Sequence, residues 1–211
     1  MKNGQELVKS LYRLLQPLTI YVYPPLWTDL PDNGIYFFFE NGECVSFDGK
    51  QFARIVRVGT HRQNDRFKKR IKSHYGNKND FHGNKNGSVF RKHLGGAILR
   101  KNNPDDHCIK SWEKQGGPSF SDVEVLVSHE IRERFSFSCI RCDSESKRLR
   151  LEEGVIALLA QVHISQPSKG WLGYYAGNEK IKRSGLWNTQ HVEGSPLTVE
   201  ELSLMKDMAT I

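Results

Sequence analysis

The sequence is poor in cysteine, with 4 in 211 residues, and this scarcity argues against a scaffold held together by disulfides. It also lacks any apolar run near the roughly 18–20 residues that a membrane-spanning helix needs. The most apolar stretch, residues 7–27, is interrupted by Lys9 and Arg13 and has no compact apolar centre followed by a small-residue cleavage site. These absences argue against the disulfide-rich, membrane-spanning and secreted classes, and we expect reduced thiols and a cytoplasmic protein.

Positive charge is present in excess and is concentrated in one third of the chain. The formal net charge is +7, and residues 54–101 hold 14 Lys or Arg against 2 acidic residues. A solvated face explains many lysine-rich helices, but this much charge of one sign repels itself unless a partner neutralises it. A phosphate backbone is the commonest such partner, so the charge pattern predicts contact with nucleic acid.

Hydrophobic patterning predicts three strands, at residues 35–39, 54–58 and 135–140. Asn41-Gly42 predicts a hairpin turn after the first strand, and residues 46–49 predict another reversal. Residues 76–87, rich in Gly, Asn and Lys, are predicted to form a mobile loop. Helical spacing and capping signals predict helices at residues 6–15, 66–75, 88–101, 109–112, 121–134, 149–162 and 198–208. The order of these elements predicts one α+β domain around a small sheet.

Arg70 and His74 lie four residues apart on the predicted helix at residues 66–75, so their side chains project together. A guanidinium stabilises charge on phosphoryl oxygens, and an imidazole beside it can move or orient a proton. A surface arginine and a boundary histidine would show the same spacing. The pair alone therefore leaves both interpretations open.

Glu152 falls inside the apolar stripe of the predicted helix at residues 149–162. A carboxylate among core residues must be protonated, paired or bound to a cation, and Mg²⁺ completed by water and phosphate oxygens is one candidate. A glutamate in the first turn, where it favours the helix N-terminus, would need no metal. The helix pattern does not decide between these two explanations.

Five short motifs follow one another between Gly34 and Asn188. They are Gly34-Ile35-Tyr36, Arg57-Val58-Gly59, Arg70 with His74, Glu152 in Leu151-Glu152-Glu153-Gly154, and Asn188 in Gly185-Leu186-Trp187-Asn188. In these motifs and their order the chain resembles the GIY-YIG nuclease family. The resemblance implies a small antiparallel three-stranded sheet flanked by helices, and a DNA endonuclease that hydrolyses phosphodiesters with one Mg²⁺ or Mn²⁺ ion.

The resemblance also implies roles for individual side chains. Tyr36 would help to activate the attacking water as a general base, and Arg70 would steady the scissile phosphate. His74 would support the proton transfer, Glu152 would hold the metal ion, and Asn188 would brace the metal site or the backbone near it. Double-stranded DNA would be held by basic residues on and after the Arg70 helix, namely Lys68, Lys69, Lys72, Lys78, Lys85, Arg91 and Lys92.

The chain departs from the family pattern in two ways. Arg57 replaces the tyrosine of the second motif, and we expect altered geometry there, through contact with the phosphate or through its charge beside Tyr36. The segment between His74 and Glu152 is longer than the family's compact core. This segment contains a basic and helical insertion at residues 76–134, which we interpret as the DNA-reading part of the protein. We expect a single domain over residues 1–211, with an N-terminal extension at residues 1–30 and a C-terminal helix within residues 189–211.

Insertions of this kind are typical of small GIY-YIG restriction enzymes, so restriction or a related defence role is the first interpretation and repair or recombination the second. A palindromic target would favour a homodimer. One alternative is a non-catalytic nucleic-acid-binding protein in which Arg57 marks a decayed site. Another is an RNA-binding domain, although the chain has no aromatic RNP-like strand motif.

Overall fold

The computed structural model describes residues 2–209, and their backbone is an α+β fold around one antiparallel sheet with strand order β2-β1-β3. The predicted domain and its C-terminal segment also include Met1, Thr210 and Ile211, which lie outside the described residues. The strands are β1 (Gly34–Phe47), β2 (Lys50–Gly59) and β3 (Phe135–Arg141). The helices are α1 (Lys2–Leu15), α2 (Phe67–Tyr75), α3 (Val89–Asn102), α4 (Cys108–Glu113), α5 (Ser121–Arg134), α6 (Glu145–Gln161), α7 (Glu179–Ser184) and α8 (Val199–Ala209), with one 3₁₀ turn at Leu172–Tyr175. The predicted fold class is confirmed.

Strand β1 lies in the middle of the sheet, and helices cover both of its faces. Ile35 and Phe37 point into one core, which α1, α6 and α8 complete. Tyr36 and Phe38 point into the other, which α2, α3 and α5 complete. Successive strand residues face opposite sides, so a strand buried on both sides requires an unbroken apolar run. This requirement explains why the segment from Ile35 to Phe39 contains only aliphatic and aromatic residues and no charged one.

The predicted hairpin at Asn41-Gly42 is wrong. Strand β1 continues through it, and the chain reverses at Asp48 and Gly49, whose φ angles are +53° and +76°. Gly42 has φ +86° and lies in an irregular stretch, between the pairs Phe39–Ile55 and Cys44–Ala53, where β1 has extra residues. An Asn-Gly pair supplies a left-handed backbone, which a bulge uses as readily as a hairpin turn.

The segment at residues 76–87, predicted to be mobile, is anchored to α5. Arg132 donates hydrogen bonds to the carbonyls of Tyr75 at 3.1 Å and Asn77 at 2.6 Å. Ser128 Oγ donates to the Phe81 carbonyl at 2.5 Å. Glycine and asparagine therefore mark turns in this segment, and the bonds to α5 hold those turns in place.

The N-terminal extension covers the outer edge of β3. Tyr21 and Phe137 exchange two backbone hydrogen bonds, at 2.7 and 2.9 Å. The other edge strand, β2, is covered by residues 187 and 188, and this second edge positions the site described below. No helix in the described part of the chain is long and apolar enough to cross a membrane.

Candidate active site

Tyr36 lies on β1 directly opposite Gly59, the last residue of β2. The phenol ring covers the Gly59 Cα so closely that a methyl group there would overlap with the Tyr36 hydroxyl and ring. The motifs Gly34-Ile35-Tyr36 and Arg57-Val58-Gly59 thus form one structural unit, because the Tyr36 ring occupies the space that a side chain at Gly59 would fill.

A chain of hydrogen bonds runs from Tyr36 into the protein. The Tyr36 hydroxyl lies 2.8 Å from His74 Nε2, and His74 Nδ1 lies 2.8 Å from Ser88 Oγ. None of the three residues has any exposed surface. Ser88 is also the N-cap of α3, and its Oγ accepts a hydrogen bond from the Arg91 amide at 3.3 Å. The start of α3 therefore holds the catalytic candidate His74 in place.

His74 is neutral in this position. Its burial lowers the pKa of the imidazole well below the usual value, because an imidazolium would lose its hydration. The positive charges of Arg70, Arg57 and Arg91 lower the pKa further. His74 can consequently accept or donate a hydrogen bond at neutral pH, but it does not carry a charge.

Arg57 is a buried cation with no ion pair among residues 2–209. Its Nη1 donates to the Trp187 carbonyl at 2.6 Å, its guanidinium lies 5.2 Å from the centre of the Phe90 ring, and its Nε has no hydrogen-bond partner. Burial lowers the pKa of Arg57, while Tyr36 and, more weakly, Glu152 raise it. A buried guanidinium without a carboxylate is poorly compensated, and an anionic ligand would compensate it.

Two other buried arginines, unlike Arg57, are paired with a carboxylate. Arg54 forms an ion pair with Glu43 at 2.8 Å, and Arg91 forms one with Glu124 at 2.7 Å. Arg70, at the other side of the site, is half-exposed, and its Nη1 donates to the Gly87 carbonyl at 3.0 Å. Arg57 and Arg70 are therefore two cations of the site that have no carboxylate partner among the described residues.

Glu152 supplies the negative charge of the site. Helix α6 begins at Glu145, well before the predicted start, so Glu152 does not lie in the first turn and the helix N-terminus does not explain its position. Its Oε1 accepts a hydrogen bond from the Thr60 amide at 3.1 Å. Burial raises the pKa of the Glu152 carboxyl, and the nearby charges of Arg57 and His191 act in the opposite direction.

Asn188 fixes the outer edge of β2. Its Oδ1 accepts from the Val58 amide at 3.0 Å, and its Nδ2 donates to the Val58 carbonyl at 2.9 Å. The Trp187 amide continues this pairing by donating to the Val56 carbonyl at 2.7 Å. Of the two roles predicted for Asn188, these contacts match the bracing of the backbone that carries Arg57 and Gly59.

A family model for the GIY-YIG domain matches residues 10–210, nearly the whole chain. The chain belongs to the GIY-YIG family. No curated protein and no solved structure matches it. The GIY-YIG domain is a nuclease domain, and the substrate it implies is a nucleic acid. Nucleases of this family generally depend on a divalent metal ion.

The residues of this GIY-YIG domain fit a metal ion that takes few protein ligands. Glu152 is a half-buried carboxylate with one oxygen held by the Thr60 amide. Within the described residues, the one cluster of three metal-ligating side chains is elsewhere, at Asp106, His107 and Cys108. Mg²⁺ commonly binds through one or two carboxylates and completes its shell with water and phosphate oxygens, which is what this site can offer.

The predicted DNA-binding residues divide into two groups. Three of the lysines are exposed, namely Lys69, Lys72 and Lys78. Two are partly exposed: Lys68 forms an ion pair with Asp32, and Lys92 Nζ donates to Gln115. Lys85 and Arg91 are buried, so their prediction as contacts to the duplex is corrected.

The two buried residues have partners inside the protein. Lys85 Nζ donates to the Lys114 carbonyl at 3.2 Å and lies 5.5 Å from the centre of the Trp112 ring. Arg91 donates to Glu124 and to the His74 carbonyl. Their side chains are occupied in holding the insertion and α2 together, and neither reaches a phosphate at the surface.

Sequence reasoning missed two residues of the site. Ser88, the first residue of the predicted helix at residues 88–101, is a typical N-cap by residue type, and no local pattern indicates that its hydroxyl also contacts His74. Thr60 contributes its backbone amide to Glu152, and a backbone contact has no signature in residue type. Both contacts depend on how α3 and α6 pack against the sheet.

Because His93 is buried on α3 beside Arg57, we expect the protein to lose stability in acid. Burial lowers the pKa of His93 from 6.5 to about 4. Below pH 6.5 the unfolded chain therefore binds a proton that the folded protein refuses, which costs about 3 kcal/mol of stability by pH 4. Urea unfolding measures the free energy of unfolding at pH 7 and pH 4. Between these pH values, the free energy should fall by about 3 kcal/mol more in the wild type than in His93→Gln. An equal loss in both proteins would contradict the assignment.

Proposed function

We propose that the chain is a divalent-metal-dependent DNA endonuclease that hydrolyses phosphodiester bonds of double-stranded DNA with Mg²⁺ or Mn²⁺. The observation that carries the proposal is the meeting of three groups near the C-terminal end of β2. These are a tyrosine hydroxyl bonded to a neutral histidine, arginines without carboxylate partners, and one half-buried carboxylate. Phosphodiester hydrolysis needs a base, cations for the phosphate and a metal ligand, and these groups match those needs.

Each side chain has a distinct part in this proposal. Arg70 and Arg57 bind the scissile phosphate and offset the charge that develops on it. Tyr36 activates the attacking water, and His74 supports Tyr36 through their 2.8 Å hydrogen bond. Glu152 holds the metal ion, which when bound stabilises negative charge on the phosphate as a Lewis acid.

Access to Tyr36 requires a movement. The Tyr36 side chain has no exposed surface, so water reaches its hydroxyl only after a neighbour shifts. Arg57 lies beside that hydroxyl, where its Nη1 donates to the Trp187 carbonyl at 2.6 Å and its buried Nε has no hydrogen-bond partner. We propose that an entering phosphate draws Arg57 toward it and uncovers Tyr36, so that the site becomes competent only with substrate bound.

Restriction or a related defence role, in the cytoplasm, is part of the proposal, with repair or recombination as the second choice. The support is the basic insertion between His74 and Glu152, which adds a surface beyond the catalytic elements. A homodimer would follow if the target is palindromic, because a two-fold site matches a two-fold protein.

The exposed lysines predict a specific salt dependence of binding. Replacing Lys69 and Lys78 together with glutamine should weaken duplex binding for every sequence and lower the slope of log Kd against log salt by about 0.9 per lysine. The measurement is fluorescence anisotropy with a labelled duplex at several salt concentrations. A matched double variant of exposed lysines outside both α2 and the insertion, Lys50→Gln with Lys169→Gln, should leave the slope unchanged. Equal slopes for both double variants would contradict the placement of the duplex.

The experiment that tests the function compares substrates. Purified protein is incubated with labelled duplex DNA, single-stranded DNA and duplex RNA, each with Mg²⁺ and with EDTA. We expect Mg²⁺-dependent cleavage of duplex DNA, faster than that of the other two. The alternative, a non-catalytic binding protein, is favoured by the arginine at position 57 and by the buried Tyr36. Salt-sensitive binding without cleavage of any substrate would support that alternative.

A further inference from the structure

The backbone of Gly34 is held by the two residues that follow β2. Thr60 Oγ1 donates a hydrogen bond to the Gly34 carbonyl at 2.6 Å, and the Gly34 amide donates one to His61 Nε2 at 3.3 Å. Gly34, Thr60 and His61 are all buried. The pairing of β1 with β2 ends at Tyr36 and Gly59, so these two side-chain contacts continue the connection beyond the last backbone pair.

His61 has a single hydrogen-bonding arrangement because both of its partners are backbone groups. The Gly34 amide can only donate, so His61 Nε2 is the acceptor of that bond. The Gln63 carbonyl can only accept, so His61 Nδ1 donates to it at 2.6 Å. The Phe67 ring also packs against the imidazole, with 6.0 Å between the ring centres. These contacts fix the segment after β2 against the start of β1.

The backbone amide of Thr60 contacts the candidate metal ligand. It donates to Glu152 Oε1 at 3.1 Å, whereas Glu152 Oε2 has no hydrogen bond within residues 2–209. Because the Thr60 hydroxyl is bound to the Gly34 carbonyl, the position of its amide is fixed relative to β1. Thr60 therefore connects the strand that carries Tyr36 with the carboxylate on α6.

We propose that Thr60 is a positioning residue for the metal ion, whose amide holds Glu152 Oε1 and leaves Oε2 for the ion, and whose hydroxyl fixes that carboxylate relative to Tyr36. The metal-binding role of Glu152 belongs to the proposed function, and this inference rests on it. A glutamate side chain loses rotational freedom when it binds an ion, and a carboxylate already held by a hydrogen bond loses less. Hydrogen bonds to ligating carboxylates typically contribute about 10–100-fold to metal affinity or activity.

The first test measures Mn²⁺ binding without DNA, from the EPR signal of free Mn²⁺. Thr60→Val keeps the shape of the side chain and the backbone amide but removes the hydroxyl that anchors the amide to β1. We expect the Kd for Mn²⁺ to rise about 10–100-fold in Thr60→Val and to stay close to the wild-type value in Thr60→Ser, which keeps the hydroxyl.

Tyr12→Phe is the matched control for Thr60→Val. The buried Tyr12 hydroxyl accepts a hydrogen bond from the Ile55 amide at 3.1 Å, so this change also removes a buried hydroxyl bonded to the backbone of the sheet, but in the middle of β2. We expect a lower melting temperature in both variants and an unchanged Kd for Mn²⁺ in Tyr12→Phe. Equal weakening of Mn²⁺ binding in the two variants would reduce the effect to lost stability and overturn the proposal.

Glu152→Ala separates the failure of this proposal from that of the proposed function. A Kd for Mn²⁺ in Thr60→Val equal to that of the wild type, with binding lost in Glu152→Ala, would overturn the role of Thr60 alone. A wild type that binds no Mn²⁺, or an equal Kd in Glu152→Ala, would contradict the metal assignment of the proposed function and overturn both.

A measurement on the wild type decides the proposal if Thr60→Val does not fold. In ¹H–¹⁵N correlation NMR spectra, the Thr60 amide signal should shift when Mg²⁺ is added, because the amide is bonded to the ligating carboxylate. The shift should be absent in Glu152→Ala. A Thr60 amide signal that does not respond to Mg²⁺ in a wild type that binds the metal would overturn the proposal.

Discussion

Replacing Glu152 with alanine is expected to reduce the rate of DNA cleavage by on the order of a thousandfold while leaving the Kd for duplex DNA within about twofold. The reason is that we assign Glu152 alone to the metal ion, whereas we propose that the exposed lysines of α2 and the insertion hold the duplex. The measurement is a single-turnover cleavage rate, with binding measured separately by anisotropy in Ca²⁺ or EDTA.

The neighbouring Glu153 provides a matched control. It is also half-buried, and its Oε1 accepts weakly from the Ser195 amide at 3.5 Å, away from Thr60 and Arg57. Glu153→Ala should therefore cleave DNA at close to the wild-type rate. Similar rates in the two variants, whether both slow or both fast, would remove the basis for assigning the metal ion to Glu152.

Replacing Gly59 with alanine is expected to lower kcat by roughly a hundredfold, because small displacements of reacting groups have effects of that size. The added methyl group would overlap with the Tyr36 hydroxyl and ring, so Tyr36 must move. That movement breaks or lengthens the 2.8 Å bond to His74. Overpacking of this kind also costs roughly 1–3 kcal/mol of stability, which a thermal melt will show.

Gly170 serves as the control for this substitution. A methyl group there would meet no heavy atom within 4 Å, and its φ is not in the left-handed region. Gly170→Ala should change neither the cleavage rate nor the melting temperature by a measurable amount. A Gly59→Ala protein that melts below the wild type but cleaves DNA at the full rate would show that the position of Tyr36 is unimportant for catalysis.

The sheet and the main helices are predictable from the sequence because burial imposes strong periodic patterns. The run after Gly34 has no charged residue because both faces of β1 are covered, and Ser88 caps α3 as its position suggests. The predicted Asn41-Gly42 turn fails because a left-handed backbone does not reveal whether the chain reverses or bulges.

The candidate site was predictable only in part, for a physical reason. A motif gives the residue type and its element, but the direction of a long side chain depends on its tertiary partners. Arg91 has the same charge as Lys92, and only the position of Glu124, 33 residues further along, decides that Arg91 is buried. The link from His74 to Ser88 likewise depends on the packing of α2 against α3, which local sequence does not encode.

The most direct test of the account is the conversion of supercoiled plasmid by purified wild-type protein, with Mg²⁺ and with EDTA, beside the Glu152→Ala variant. Supercoiled DNA reports a single hydrolysed phosphodiester, so even a slow endonuclease is detected. We expect nicked or linear plasmid with the wild type and Mg²⁺, and neither product with EDTA or with the variant. Plasmid that stays supercoiled with Mg²⁺, although the wild type binds it, would contradict the claim that these residues form a working nuclease site.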